Sequence, residues 1–150
     1  MGVTGFRHDT PVYFDELDLN GHLHNARFAL HVERATSALF ESLGYGWTGF
    51  ADRHPDLVYA VRELNLEFLA PFSSPGPLRT ELWVHRLGRT SCVYGFRCTD
   101  PTEGPTYARG RRAVVKLGPG GRPEPWSATM RDILGGLHRA EGPPADEERR

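Results

Sequence analysis

Apolar residues change period along this chain, and each change marks an element. From about Asn25, Phe28, Val32, Ala35, Leu39 and Leu43 recur at steps of four, three, four and four, with Ala29, Thr36 and Phe40 beside them. One apolar stripe at that period predicts a helix. Glu33, Arg34 and Glu41 fall mostly off the stripe, and Gly44 stands where a helix end favours left-handed backbone. A helix of ~19 residues would be ~28 Å long at ~1.5 Å per residue, the width of a small domain, and needs a sheet to cover it.

Strand-like patterns flank that helix. Thr10 to Asp15 carries Val12, Tyr13 and Phe14, a β-prone cluster that predicts a first strand, and Asp18, Asn20 and Gly21 then supply turn formers. After the helix, YGWTGFADRHPD is a loop whose Tyr45, Trp47 and Phe50 either line a pocket or pin the loop down. Leu57 to Leu69 predicts a second strand. Val58, Ala60, Leu64, Leu66 and Phe68 share one of its faces, while Leu57, Tyr59 and Val61 make the other apolar at its start, as in a strand covered on both sides or at an interface.

In Leu78 to Leu87, Leu78, Leu82 and Val84 alternate with Arg79, Glu81, Trp83 and His85, the mark of a half-buried strand. The fourth strand places Cys92, Tyr94, Phe96 and Cys98 on one face, and the fifth, Thr106 to Leu117, ends at GPGG. WSATMRDILGGL is a short amphipathic cap with Met130, Ile133 and Leu134. Residues 1–136 are expected to form one α+β domain with the helix on one face of an antiparallel sheet, and 137–150 a disordered tail.

Composition narrows the function classes. The 150 residues carry 18 basic and 19 acidic groups, a net charge of −1, so no global field favours nucleic acid or an anionic membrane. Of the 18 basic residues Lys116 is the only lysine, and the other 17 are arginines, which bind phosphate and carboxylate bidentately. Cys92 and Cys98 lie ~20 Å apart along one strand at ~3.3 Å per residue, too far for a disulfide, and are expected as reduced apolar fillers. No signal-like segment and no run of ~18 apolar residues is present, so a cytoplasmic protein that does not span a membrane is expected.

The octet DLNGHLHN, Asp18 to Asn25, lies between the first strand and the helix start. By composition alone it is an ordinary turn. In context it resembles the hotdog-fold acyl-thioester hydrolases, the 4-hydroxybenzoyl-CoA thioesterase-like superfamily that includes acyl-carrier-protein thioesterases. Their pattern of Asp, then Gly-His-Val-Asn-Asn, then an aromatic and a helical Glu is matched by Asp18, Gly21, His22, Leu23, His24, Asn25, Phe28 and Glu33. Asp18, Asn20 and His22 match the Asp-x-Asn-x-His arrangement of the carrier-protein branch. The likeness extends through VRELNLEFLAPFSSPGPLRTELWVHRLGRTSCVYGF to PWSATMRDIL, with His24 in place of the first Asn of the family pair and Phe28 in place of the commoner Tyr.

The resemblance implies a hotdog fold, a long central helix wrapped by a five-stranded antiparallel sheet, assembled as a homodimer or homotetramer through the strand after the helix. It implies hydrolysis of acyl-CoA or acyl-carrier-protein thioesters without a cofactor. A thiolate of pKa near ~8.5 departs without obligatory protonation, so a full triad is not required. Asp18 acts as nucleophile or as general base, and a helix-start amide of His24 or Asn25, by family position Asn25, polarises the carbonyl. His22 orients Asp18 or water or acts as the base, and Asn20 positions the same water. Phe28, Glu33, Arg86 and Arg89 are the candidate substrate-binding residues, with Arg111 and Arg112 further candidates for phosphates. His22 and His24 lack a cluster that would complete a metal site. Two rival readings share the fold: an enoyl-CoA hydratase-like enzyme, and a non-catalytic acyl-thioester-binding subunit.

Overall fold

The computed structural model of the chain describes residues 5–46, 48–73, 76–102 and 104–139. Strands β1 (Phe6–Pro11), β2 (Tyr59–Phe68), β3 (Pro77–Leu87), β4 (Ser91–Thr99) and β5 (Thr106–Lys116) form one antiparallel sheet in the order β1-β3-β4-β5-β2. Helix α1 (Arg27–Ser42) packs on one face, and α2 (Ala128–Gly136) closes the far end of that face. The expected α+β hotdog architecture is the one that forms.

Successive strand side chains point to opposite faces, so alternate residues of β3 and β4 make the floor of the core. Leu78, Leu82, Val84, Cys92, Tyr94, Phe96 and Cys98 are all buried. Phe28, Val32, Ala35 and Leu39 of the predicted stripe come down on this floor, and Met130 and Leu134 of α2 join Phe40 at its other end. Burying a large apolar side chain contributes about 1.5–3 kcal/mol, so this stripe is what fixes α1 to the sheet. Gly44 takes φ +87° just beyond the helix, as its position predicts. Burial pushes the thiols of the free Cys92 and Cys98 up to about 12, which keeps them protonated and unreactive.

Three expectations are corrected. The first strand begins at Phe6 and ends at Pro11, which stands opposite Pro77. Proline offers no N–H to a ladder, so pairing stops there. Val12, Tyr13 and Phe14 therefore lie beyond the strand, and Phe14, 90% exposed, opens a 3-10 turn over Phe14–Glu16.

In β2 a bulge between Val61 and Glu63 shifts the alternation by one residue. Tyr59 and Val61, opposite Lys116 and Val114, thus share a face with Leu64, Leu66 and Phe68, opposite Arg112, Gly110 and Ala108. The bulge regroups the two faces expected: Tyr59 and Val61 join Leu64, Leu66 and Phe68 on the face turned toward α1, and Ala60, opposite Val115, is left on the other.

The third correction concerns Glu81, expected on the solvated face of β3. It is buried, and its carboxylate is enclosed by Arg7 at 3.2 Å, Arg97 at 3.3 Å and Arg139. The last arginine also stacks on Trp83. Leu137 and Arg139, expected in the tail, hydrogen-bond the backbone of Val84 at 2.8 and 3.0 Å. Residues 140–150 lie outside the described residues. No described helix is long and apolar enough to cross a membrane.

Candidate active site

The octet folds as a closed turn. Leu17 and Leu23 pair across it, the Asp18 N–H donates to the His22 carbonyl at 2.7 Å, and the Gly21 N–H donates back to the Asp18 carbonyl at 3.0 Å. Gly21 sits at φ +74°, a conformation that a side chain would strain. Leu23 is buried and its N–H donates to the Phe72 carbonyl at 2.8 Å, which ties the turn to the sheet.

Within this turn Asp18 Oδ1 accepts the backbone N–H groups of Asn20 at 2.8 Å and His22 at 3.1 Å. An aspartate closing its own turn in this way is held in one orientation. The His22 N–H is the first cause that holds the Asp18 carboxyl below the usual carboxylate range, and the Asn20 N–H adds to it. Asp18 is therefore an anion at neutral pH, and its Oδ2 accepts no bond among the described residues. Asn20 and His22 hold Asp18 through backbone, not through the side chains that their identities suggest.

The helix start explains His24. Its N–H donates to the Glu16 carbonyl at 2.9 Å, its carbonyl accepts the Arg27 N–H at 2.8 Å, and its ring Nδ1 accepts the Ala26 N–H at 3.1 Å. The imidazole nitrogen thus supplies the acceptor that an Asn or Asp side chain supplies at most helix starts. With the His24 N–H engaged and the Ala26 and Arg27 N–H groups capped, the Asn25 N–H has no partner among the described residues. A helix start with a free amide favours a negatively charged oxygen.

Beneath the turn lies a buried network that sequence reasoning missed. His31 Nε2 meets Glu16 Oε1 at 2.8 Å, His31 Nδ1 meets the Thr10 hydroxyl, and Glu16 Oε2 accepts the Tyr13 N–H at 2.7 Å. Since Glu16 also takes the His24 N–H, this one residue joins Tyr13, the turn and α1, and His31 carries the network on to Thr10 of β1. His31 stands three residues after Phe28 on the buried stripe, and that position is the available signal; Glu16 follows directly on the stretch Thr10 to Asp15, where no period marks it as buried.

Both groups shift in one direction. Burial pushes the His31 imidazole down, only partly offset by Glu16. Burial also opposes ionisation of Glu16, but the Tyr13 N–H, His31 and Arg34 together hold its carboxyl below the usual range. Each folded value lies below the unfolded one, so the unfolded chain binds more protons on acidification. The stabilising contribution is complete above about pH 6.5, the unfolded His value, and is lost as pH falls through the folded values. The thermal midpoint is therefore expected to fall between about pH 6.5 and pH 5, and His31→Gln to flatten that slope; a wild-type midpoint independent of pH there would contradict the assignment.

The other candidates are distributed. Phe28 is a core residue whose ring lies 5.6 Å from that of Phe68. Arg86, Arg89 and Arg111 are exposed, whereas Arg112 is buried, so Arg112 does not belong to an exposed phosphate-binding patch. It faces α1 and meets Glu33 at 3.5 Å beside a cavity of about 580 Å³. Tyr45 lines this cavity, Phe50 is exposed, and Trp47 lies outside the described residues. Among the described residues no group of three or more His, Cys, Asp or Glu is placed to hold a metal ion.

The model of the family described as Thioesterase superfamily matches residues 20–106, more than half of the chain. The chain belongs to the thioesterase superfamily. Within that superfamily it is similar to a Thermus thermophilus thioesterase solved with coenzyme A and Zn, at 26% identity and a TM-score of 0.71, covering 86% of this chain and 96% of the other. It shares its fold with a 1,4-dihydroxy-2-naphthoyl-CoA thioesterase from Synechocystis, at 14% identity and a TM-score of 0.76, over 87% and 96% of the two chains. A DHNA-CoA thioesterase from Staphylococcus aureus shares the fold too, at 16% identity and a TM-score of 0.72, over 88% and 87%. No curated protein sequence matches the chain. The superfamily match begins two residues after Asp18, so the candidate carboxylate sits just ahead of it.

Proposed function

We propose that this member of the thioesterase superfamily hydrolyses acyl-CoA thioesters, with Asp18 as nucleophile or general base and the Asn25 N–H as oxyanion donor. One observation carries the reading: an ionised carboxylate with a free Oδ2 stands in the turn that leads to a helix start whose Asn25 amide is unpartnered. The amide stabilises charge as it develops on the carbonyl oxygen. Asp18 Oδ2 either attacks the carbonyl carbon, giving an acyl-aspartyl anhydride that water cleaves, or takes a proton from the attacking water. In both routes the thiolate leaves and the products are the free acid and CoA. The side chains of His22 and Asn20, whose backbone N–H groups hold the carboxylate, are the candidates to hold that water.

Coenzyme A is preferred to a carrier protein as the thiol because the similar Thermus thermophilus thioesterase binds it. The exposed Arg86 and Arg89 suit its phosphates. β2 is an edge strand with Val61, Leu64 and Phe68 at 44%, 41% and 48% exposure. Pairing of two copies along this edge, as a dimer or a pair of dimers, would cover them.

The test is release of free thiol from a panel of saturated and aromatic acyl-CoAs, followed with a thiol reagent. One or more members should yield one thiol per ester consumed. Addition of water to an enoyl-CoA without thiol release would assign a hydratase instead, and tight binding of every ester without turnover would assign a non-catalytic subunit.

A further inference from the structure

The turn that carries Asp18 is a short antiparallel ladder. The Glu16 carbonyl accepts the His24 N–H at 2.9 Å, Leu17 pairs with Leu23, and the Asp18 N–H donates to the His22 carbonyl at 2.7 Å. Asp18 stands two residues beyond Glu16 on one arm, and Asn25 follows His24 directly on the other. The rung from Glu16 to His24 thus sets where the carboxylate and the Asn25 N–H stand relative to each other.

One anchor of this ladder is the Leu23 N–H on the Phe72 carbonyl, with Leu23 itself in the core. Another is the Glu16 side chain, whose Oε1 meets His31 Nε2 at 2.8 Å while Oε2 accepts the Tyr13 N–H at 2.7 Å. A helical side chain leans toward the N-terminus of its helix, so His31, four residues after Arg27, reaches back toward the start of α1. The helix start and the carboxylate arm are therefore tied through one carboxylate–imidazole contact, with Arg34 at 3.8 Å from the same oxygen.

The hydroxyl, imidazole and carboxylate of Thr10, His31 and Glu16 follow the order of a nucleophilic triad. All three residues are buried, so Thr10 meets no substrate carbonyl and the set is a strut. Its protons have fixed places. Glu16 is an anion and only accepts, which puts the proton of the neutral His31 on Nε2 and leaves Nδ1 to accept the Thr10 hydroxyl. A glutamine at 16 would turn an amide N–H toward one of its two donors, so the carboxylate is required for both contacts.

Resting on the thioesterase reading, we propose that Glu16 and His31 are positioning residues of the hydrolysis: too deep to touch substrate, they set the Asp18 carboxylate against the helix-start amide. A displacement of about 1 Å can cost about a hundredfold in rate. Glu16→Gln and His31→Leu, each assayed well below its own unfolding midpoint, should lower kcat by about tenfold or more and leave KM within about threefold of wild type. His31→Gln keeps a donor for Glu16 and should recover much of the His31→Leu loss; if Glu16→Gln does not fold, the two His31 variants carry the comparison. In an Asp18→Asn background the same substitutions should cost about twofold or less, because a group that acts through Asp18 then has nothing left to position.

A wild-type kcat in the folded variants would overturn the proposal, as would a loss confined to KM or one that adds in full to that of Asp18→Asn. Amide hydrogen exchange, which needs no substrate, keeps the two readings apart. In His31→Leu the His24 N–H, which rests on Glu16, should exchange about tenfold or more faster than in wild type, while the Leu23 N–H on Phe72 keeps its protection. That local loosening in a protein that hydrolyses no acyl-CoA would sink the thioesterase reading and leave the strut standing. Unchanged exchange at His24, or an equal rise at His24 and Leu23, would sink the positioning assignment alone.

Discussion

Asp56→Ala is expected to lower stability by about 3–5 kcal/mol, the cost of leaving one member of a buried ion pair uncompensated. The only lysine of the chain, Lys116, is buried with its Nζ 2.8 Å from Asp56 Oδ1. Asp56 also accepts the Ser127 N–H at 3.1 Å and the Ser127 hydroxyl at 2.5 Å, and Ser127 in turn caps α2 through the Met130 N–H. Burial opposes ionisation of Asp56, but Lys116 and Ser127 hold its carboxyl below the usual range. One carboxylate thus fastens the approach to β2, the end of β5 and the start of α2.

For a chain of this size about 2–4 °C accompanies each kcal/mol, so the thermal midpoint should fall by roughly 6–20 °C. The double variant Asp56→Leu with Lys116→Met removes both charges and should recover most of the loss, because an apolar pair of similar volume is often as stable as a buried ion pair. Thermal and urea denaturation of the two variants measure both effects. An unchanged midpoint in Asp56→Ala would show that the cluster carries no net stability.

What could be read from the residues was whatever periodicity alone controls. The stripe from Phe28 to Leu39 gave α1 its buried face, and the alternation in β3 and β4 gave the core its floor, because both patterns record which side meets apolar neighbours. Three features depend on pairing instead. Where β1 ends is decided by Pro11 meeting Pro77, a cross-strand fact invisible in either segment alone. The bulge after Val61 regroups the two apparent faces, and nothing in VRELN announces an extra residue in the ladder. Arg112 looked like one more member of an arginine-rich surface, and only the fold brings it under α1 beside Glu33.

The octet divides in the same way. Asp18 as the anchoring carboxylate and Asn25 as the candidate amide follow from the resemblance. That His24 replaces an amide cap with a ring nitrogen, and spends its own N–H on Glu16, is visible only in three dimensions. So is Glu16, whose burial depends on His31 arriving from a helix fifteen residues on.

Asp18→Asn is the second large effect, this time on rate. An asparagine keeps a side-chain oxygen where Asp18 Oδ1 accepts from Asn20 and His22, so the turn and the unfolding midpoint should persist. What disappears is the anion, and with it either the nucleophile or the base. Loss of a positioned acid–base group costs about 10²–10⁴-fold, and loss of a nucleophile costs at least as much. Asp15→Asn, an exposed neighbour, should leave the rate unchanged.

The deciding measurement is free-thiol release from the best acyl-CoA of the panel by wild type and by Asp18→Asn, each with its unfolding midpoint recorded. The expected result is an unchanged midpoint with kcat/KM down by about a hundredfold or more. A folded Asp18→Asn protein that releases thiol at the wild-type rate would contradict the placement of the reaction at this turn.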